Sequence, residues 1–259
     1  MDATGSERRV LGGMTPGHDR LKNERIVGKG IEYLVEVPAV VYQAHAGRLS
    51  FFVGSHWMPQ GYGWIFPMKP NRLKIGVGRN FPEEQAVPHQ QSLAYYLDRL
   101  IRDRLKTDEI IVLDRHGKTI SYTCHHRDTY FNDNVIVIGD AVSTVNPLTF
   151  EGIRHALASG EIAAKHVQAF LDQTSLDFRR YRMEMRRYCG MRWIVSEMLT
   201  KKIFREPDDE KMRLMLCALK KLPLEGLKAL MFDYRYPPAA RFYAAYQLLL
   251  LKRALSVFE

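Results

Sequence analysis

Short apolar and aromatic runs recur between residues 25 and 123, each bounded by Gly, Pro, Asn or Asp: IEYLVEV, AVVYQAHA, RLSFFVG, YGWIFP, RLKIGVG, EIIVLD and KTISYT. β-Branched and aromatic residues in runs of this length predict strands, and the turn residues between them predict a mostly antiparallel sheet. A helix over about 91–105 interrupts them, with Leu93, Tyr96, Leu97, Leu100, Ile101 and Leu105 recurring at helical spacing. The run NVIVIGD, 134–140, is apolar without alternation, as expected of a strand buried on both faces of a parallel sheet. A loop and a helix over about 151–171 follow. Beyond about residue 175 the pattern is helical, with breaks at Glu206-Pro207, Pro223 and Pro237-Pro238. The segments are therefore 1–24, 25–130, 131–172 and 173–259, in a mixed α+β and α/β fold.

Composition narrows the class. With 259 residues, 46% hydrophobic and 26% charged, the chain has ordinary globular usage and enough length for a full core. Three scattered cysteines (Cys124, Cys189, Cys217) suit free thiols in a reducing compartment, so a cytoplasmic location is expected, and no Cys/His spacing suggests a metal. No apolar run reaches the about 18 residues of a membrane span. The longest, around Tyr246–Leu251, is much shorter. The net charge is +9, and nine basic residues face only Glu184 and Glu197 between Arg179 and Arg205. That segment also carries Phe178, Tyr181, Met185, Tyr188 and Trp193, a composition suited to resting peripherally on an anionic membrane. No nucleic-acid-binding motif accompanies it.

Chemistry concentrates in VIVIGDAVSTVNPLTFEGIRHA. Asp140 falls at the carboxyl end of a hydrophobic strand, where open α/β sheets bind ligands, and its carboxylate can accept sugar hydroxyls. Small residues follow it, Pro147 stiffens the loop, and Glu151-Gly152-Ile153 open a helix whose free amides favour an electron-rich group. Upstream, Tyr62, Trp64 and Phe66 alternate in YGWIFP, so they share one strand face, and Gly76 and Gly78 share a face of the next strand, leaving room opposite. His125 and His126, neighbours on an expected strand, would point to opposite faces, and His155 is expected at the solvent surface. No nucleophile–base pair stands out.

The segment from Gly139 to Ile153 resembles the second flavin-binding motif of FAD-dependent oxidoreductases with the glutathione-reductase-type fold. It is especially similar to the GDA…P…GEGI pattern of the geranylgeranyl reductase family. Tyr62-x-Trp64-x-Phe66-Pro67 followed by Gly76-x-Gly78 resembles the YxWxFP…GxG pattern of the same family, and Asp2-Ala-Thr-Gly5 resembles its D-A/G-x-G stretch. The resemblance implies FAD as cofactor. Asp140 would hold the ribityl chain, and Gly152 and Ile153 would face the flavin ring. Asp2, Gly5, Gly139, Pro147 and Glu151 would complete the cofactor site. Tyr62, Trp64, Phe66, Pro67, Gly76 and Gly78 would line the substrate site. Phe150 stands where the family usually has Gly, which would crowd the flavin. The family's opening GxGxxG unit has no counterpart, since Gly28-Lys-Gly30 lacks the third glycine and a following helix.

The implied activity is reduction of isoprenoid C=C bonds by hydride from reduced flavin, with NAD(P)H or ferredoxin as electron donor. A complementing chain would carry the nucleotide-binding half. The alternatives are a non-catalytic subunit that binds lipid without flavin, and a related flavin hydroxylase or carotenoid-cyclase-like protein.

Overall fold

The computed structural model describes residues 1–14, 25–80, 91–205 and 208–235. The breaks at Glu206-Pro207 and Pro237-Pro238 and the apolar run near Tyr246 lie outside them. Five strands, β1 (Arg25–Glu36), β2 (Ser50–Val53), β3 (Gly61–Met68), β4 (Arg72–Arg79) and β5 (Ile111–Thr123), form one antiparallel sheet in the order β2-β3-β4-β1-β5. EIIVLD and KTISYT prove to be one long strand, β5, paired with β1 along its length.

One face of the sheet is covered by helix α3 (Leu93–Leu105), whose Tyr96, Leu97, Leu100 and Leu105 pack on Ile65, Leu73, Ile75 and Val77. Ser92 caps α3 by accepting the Tyr95 N–H at 3.2 Å. The expected strand AVVYQAHA is instead a helix, α2 (Ala39–His45), which follows the short α1 (Arg9–Met14). Val41, Tyr42 and His45 turn inward at helical spacing while Val40 is 77% exposed. Its β-branched residues misled because a one-sided face, and not propensity, decides a short element.

The second half of the protein holds together differently. The expected buried strand at 134–140 is reduced to Val135–Ile136, paired antiparallel with Phe131–Asn132. Among the described residues, its one parallel link is to the N-terminal segment: the Asp2 N–H donates to the Ile136 carbonyl at 2.8 Å and the Ile138 N–H to the Asp2 carbonyl at 2.9 Å. Helix α4 (Ile153–Leu171) and the long helical segment α5 (Arg179–Phe204), kinked at Gly190 where φ is +52°, pack over this region, burying Leu11, Val137, Ala163, Phe178, Tyr181 and Met185 together. The C-terminal part continues as α6 (Asp209–Leu219) and α7 (Leu224–Met231).

The segment 179–205 does not present its aromatics outward, as a membrane-resting helix would. Phe178, Tyr181, Met185 and Trp193 are core residues, so the exposed side of α5 is basic and carries Met183, Met191 and Met198. Among the described residues no helix is long and apolar enough to cross a membrane. Cys124, Cys189 and Cys217 are free, and no group of His, Cys, Asp or Glu there could hold a metal.

Candidate functional site

The loop from Gly139 to Gly152 is built from buried backbone. Residues 141–147 are all buried, and α5 supports them by side-chain hydrogen bonds. Tyr181 donates to the Val137 carbonyl (2.5 Å), Trp193 Nε1 to the Val145 carbonyl (3.0 Å) and Thr200 to the Pro147 carbonyl (2.7 Å). These satisfy carbonyls that an irregular buried segment would otherwise leave unpaired. Gly139 has φ +61°, which favours glycine, and its N–H donates to Ser159 of α4 at 2.8 Å.

Within this scaffold Asp140 is out of balance. Its Oδ1 is buried without a hydrogen-bond partner, and burial raises its pKa, with the Lys118 ammonium opposing the shift. A half-buried carboxylate lacking a donor is a costly feature unless a ligand completes it. Gly152 keeps the adjoining space clear, since a Cβ there would lie 3.1 Å from Asp140 Oδ1. Gly152 is also the N-cap of α4, and no side chain caps that end. The orphaned oxygen and the uncapped helix start beside it fit a hydroxylated chain running to an electron-rich ring.

Phe150 adopts φ +53°, the conformation a glycine would take, and its ring turns onto β1: a ring carbon lies 2.5 Å from where a Cβ on Gly28 would be.

The other expected cofactor residues divide. Asp2 turns inward: Thr4 N–H (3.0 Å) and Oγ1 (2.7 Å) donate to one oxygen and Leu11 N–H (2.8 Å) to the other. Burial opposes its charge, yet these bonds outweigh it and lower the pKa. Both oxygens are thus engaged in shaping the N-terminal turn. Gly5, at φ +71°, is approached only by Lys118 Nζ, 4.0 Å from where a Cβ would sit. Pro147 is buried in the loop and Ile153 is 81% exposed.

Glu151 accepts from Arg154 (3.0 and 2.8 Å) and Tyr234 (2.7 Å), bonds that outweigh burial and lower its pKa. His155 is buried, not solvent-facing. Its Nδ1 lies 2.8 Å from the Tyr188 hydroxyl, its ring stands edge-on to Trp193, and burial lowers its pKa. His125 lies in a tight turn, Cys124–His126, and not on a strand; its ring is largely exposed and its N–H donates to Glu197 at 2.9 Å. The ring of His126 lies outside the described side chains.

On the sheet, Tyr62, Trp64 and Phe66 share the face opposite α3, as the alternation predicts. Tyr62–Trp64 and Trp64–Phe66 ring centroids are 5.8 and 6.4 Å apart, and Phe51 joins from β2 at 5.4 Å from Phe66. Trp64 Nε1 donates to Glu32 at 2.9 Å, and Glu32 is also 3.1 Å from Lys74. The Tyr62 hydroxyl donates to the Thr149 carbonyl, so the aromatic wall abuts the loop entering α4. Burial raises its pKa, keeping it a neutral donor. Pro67, paired with Leu73, falls on the opposite pleat face and is not part of the wall. The room expected opposite Gly76 is filled by the Trp64 indole, 2.2 Å from where a Cβ would sit.

Two features escaped sequence reasoning. Gly28 and Gly30, unremarkable as a failed nucleotide-binding fingerprint, lie on the same face as Gly76 and Gly78, with Gly30 opposite Gly78 in register. Arg8 is buried and ties the parts together: it pairs with Asp128 (2.6 Å) and donates to Thr123 of β5 and Ser143 of the Asp140 loop (both 3.0 Å). A cleft of about 900 Å³ is lined by Thr4, Ser6, Arg9, Arg25, Lys118 and Thr119 among others; Asp140 is not among its lining residues.

Residues 31–117 match the sequence model of the geranylgeranyl reductase catalytic domain. The chain is 33% identical over 119 residues to digeranylgeranylglycerophospholipid reductase 3 of Methanosphaera stadtmanae, covering 45% of this chain and 28% of that protein. It is 27% identical over 177 residues to digeranylgeranylglycerophospholipid reductase of Methanocaldococcus jannaschii, covering 66% and 43%. The chain thus spans less than half the length of these curated relatives. In fold it is similar to a geranylgeranyl bacteriochlorophyll reductase-like protein of Thermoplasma acidophilum, with TM-score 0.72, 16% identity and coverage of 93% and 60%. It is also similar to p-nitrophenol 4-monooxygenase of Pseudomonas putida, with TM-score 0.54, 14% identity and coverage of 82% and 54%. The expected resemblance is borne out over residues 31–117, which match the geranylgeranyl reductase catalytic domain, and the fold is similar to that of the Thermoplasma protein over 93% of the chain.

Proposed function

We propose that this chain forms the substrate-binding and ring-facing part of an FAD-dependent oxidoreductase that reduces isoprenoid carbon–carbon double bonds. The observation that carries the reading is the orphaned Asp140 oxygen beside the uncapped start of α4, a helix whose entry loop is hydrogen-bonded to the aromatic wall through Tyr62 and Thr149. Bound flavin, reduced by NAD(P)H or ferredoxin, would supply the hydride. Asp140 would accept ribityl hydroxyls, and the amides at Gly152 and Ile153 would face the electron-rich edge of the ring. Lys118 stands near enough to Asp140 to offset its charge. Tyr62, Trp64 and Phe66 would hold the apolar chain, and the Tyr62–Thr149 hydrogen bond would fix the wall relative to the ring site.

Ile153 and Leu157 on α4, 81% and 69% exposed, suit burial against a nucleotide-binding half, supplied by further sequence or by a complementing chain. The basic outer side of α5 suits contact with an anionic membrane carrying the lipid. Titration of the protein with FAD, followed by the visible absorption of bound flavin, tests the reading. Asp140→Ala is expected to weaken binding by about 1–3 kcal/mol. Unchanged affinity would remove Asp140 from the site.

A further inference from the structure

The face of the sheet that carries the aromatic wall has four glycines close together: Gly28 and Gly30 on β1, Gly76 and Gly78 on β4. They are not equivalent. Gly76 is buried beneath the Trp64 indole and Gly28 beneath the Phe150 ring, and a Cβ at either would collide, at 2.2 and 2.5 Å. Gly30 and Gly78, directly paired between them, remain partly exposed, and a Cβ there would meet nothing nearer than 3.5 Å. Two aromatic rings therefore flank a strip of bare backbone. β1 and β4 are inner strands with ladder partners on both sides, so the strip offers Cα–H surface with its amides and carbonyls engaged. Such a floor suits an apolar chain lying close to the backbone and repels groups that seek hydrogen bonds.

We propose that Gly30 and Gly78 floor a slot for one prenyl chain, that Trp64 and Phe150 are its two ends, and that Phe150 sets how much of the chain the slot admits. The inference rests on the isoprenoid reading above and assigns the departure from the family pattern at Phe150 a role in specificity. Phe150 reaches its position only because its backbone adopts a glycine-like φ, and Gly28 receives the ring only because it has no side chain. Removing the ring uncovers Gly28, one same-face step of about 7 Å beyond Gly30 along β1, on the scale of one isoprene unit.

The test is a titration of the full chain with geraniol, farnesol and geranylgeraniol, read by intrinsic tryptophan fluorescence, for the native protein, Phe150→Gly and Gly78→Ala. In the native protein affinity is expected to rise with chain length and then level off. In Phe150→Gly, where glycine suits the φ of +53°, the plateau is expected to disappear, with geranylgeraniol binding about tenfold tighter than in the native protein. Gly78→Ala adds a methyl to the floor without a clash and is expected to weaken all three alcohols several-fold, which keeps the slot testable should Phe150→Gly fail to fold. Unaltered affinities in Gly78→Ala would overturn the slot. An unmoved plateau in a folded Phe150→Gly variant would overturn the role of Phe150 alone. Absence of any response in the native protein would overturn the isoprenoid reading itself.

Discussion

The sheet region and the Asp140 region of this protein are stabilised in opposite ways. Residues 25–123 form a five-stranded sheet with a helix on one face, and their core of Ile65, Leu73, Ile75, Val77, Leu97 and Leu100 is closed within the segment. The region around Asp140 has only a two-residue ladder and one parallel bridge. It depends on α5 side chains to satisfy its carbonyls, leaves Ile153 exposed and keeps a buried carboxylate oxygen unpaired. A scaffold optimised for stability would retain none of these three features. A surface shaped to receive a cofactor and a further half of the molecule would retain all of them.

The two regions meet at Arg8, so the largest effect is expected there. Arg8→Ala would leave the fully buried Asp128 uncompensated and release both Thr123 and Ser143. A loss of about 3–5 kcal/mol is expected in denaturant melts, enough to let the regions unfold separately. A single unshifted transition would show that the regions do not depend on this ion pair.

A smaller effect is expected from Gly28→Ala, whose methyl would enter the Phe150 ring. The cost is expected to be about 1–3 kcal/mol. Combining it with Phe150→Gly should recover most of that loss, and a double-mutant cycle measures the coupling. Additive losses would mean the two residues do not interlock.

Much of the sheet region was legible because alternation and helical spacing report directly on a core closed within the segment. The aromatic wall and α3 followed from them. The misreadings have physical causes. AVVYQAHA has strand-like residues but one buried face of a helix, and Pro67 carries the motif while the pleat turns it away. Around Asp140 the motif singled out the carboxylate whose oxygen proves unpaired, yet NVIVIGD read as a full strand because its apolar residues are buried by α4 and α5 instead of by neighbouring strands. Arg8 was invisible, since an Arg-Arg pair near a terminus reads as solvated charge. Gly28-Lys-Gly30 carried a usable signal, glycines at period two matching Gly76-Val-Gly78, which becomes meaningful only once the register sets the pairs side by side.

The smallest shift, and the most informative, concerns Asp140. Its folded-state pKa is raised, so the native state holds the proton more tightly than the unfolded chain, and ionisation costs stability as pH rises above the ordinary value of 3.8. Asp140→Asn is therefore expected to stabilise the cofactor-free protein at neutral pH by about 1 kcal/mol, with the gain vanishing below pH 3.8. The same substitution should weaken the response to flavin. The most direct measurement is the melting temperature of the native protein and of Asp140→Asn, each with and without saturating FAD. A variant that melts higher without FAD yet gains less from adding it would identify Asp140 as a residue kept for the cofactor at the expense of stability. A variant that melts lower without FAD, or gains as much from FAD as the native protein, would contradict the account.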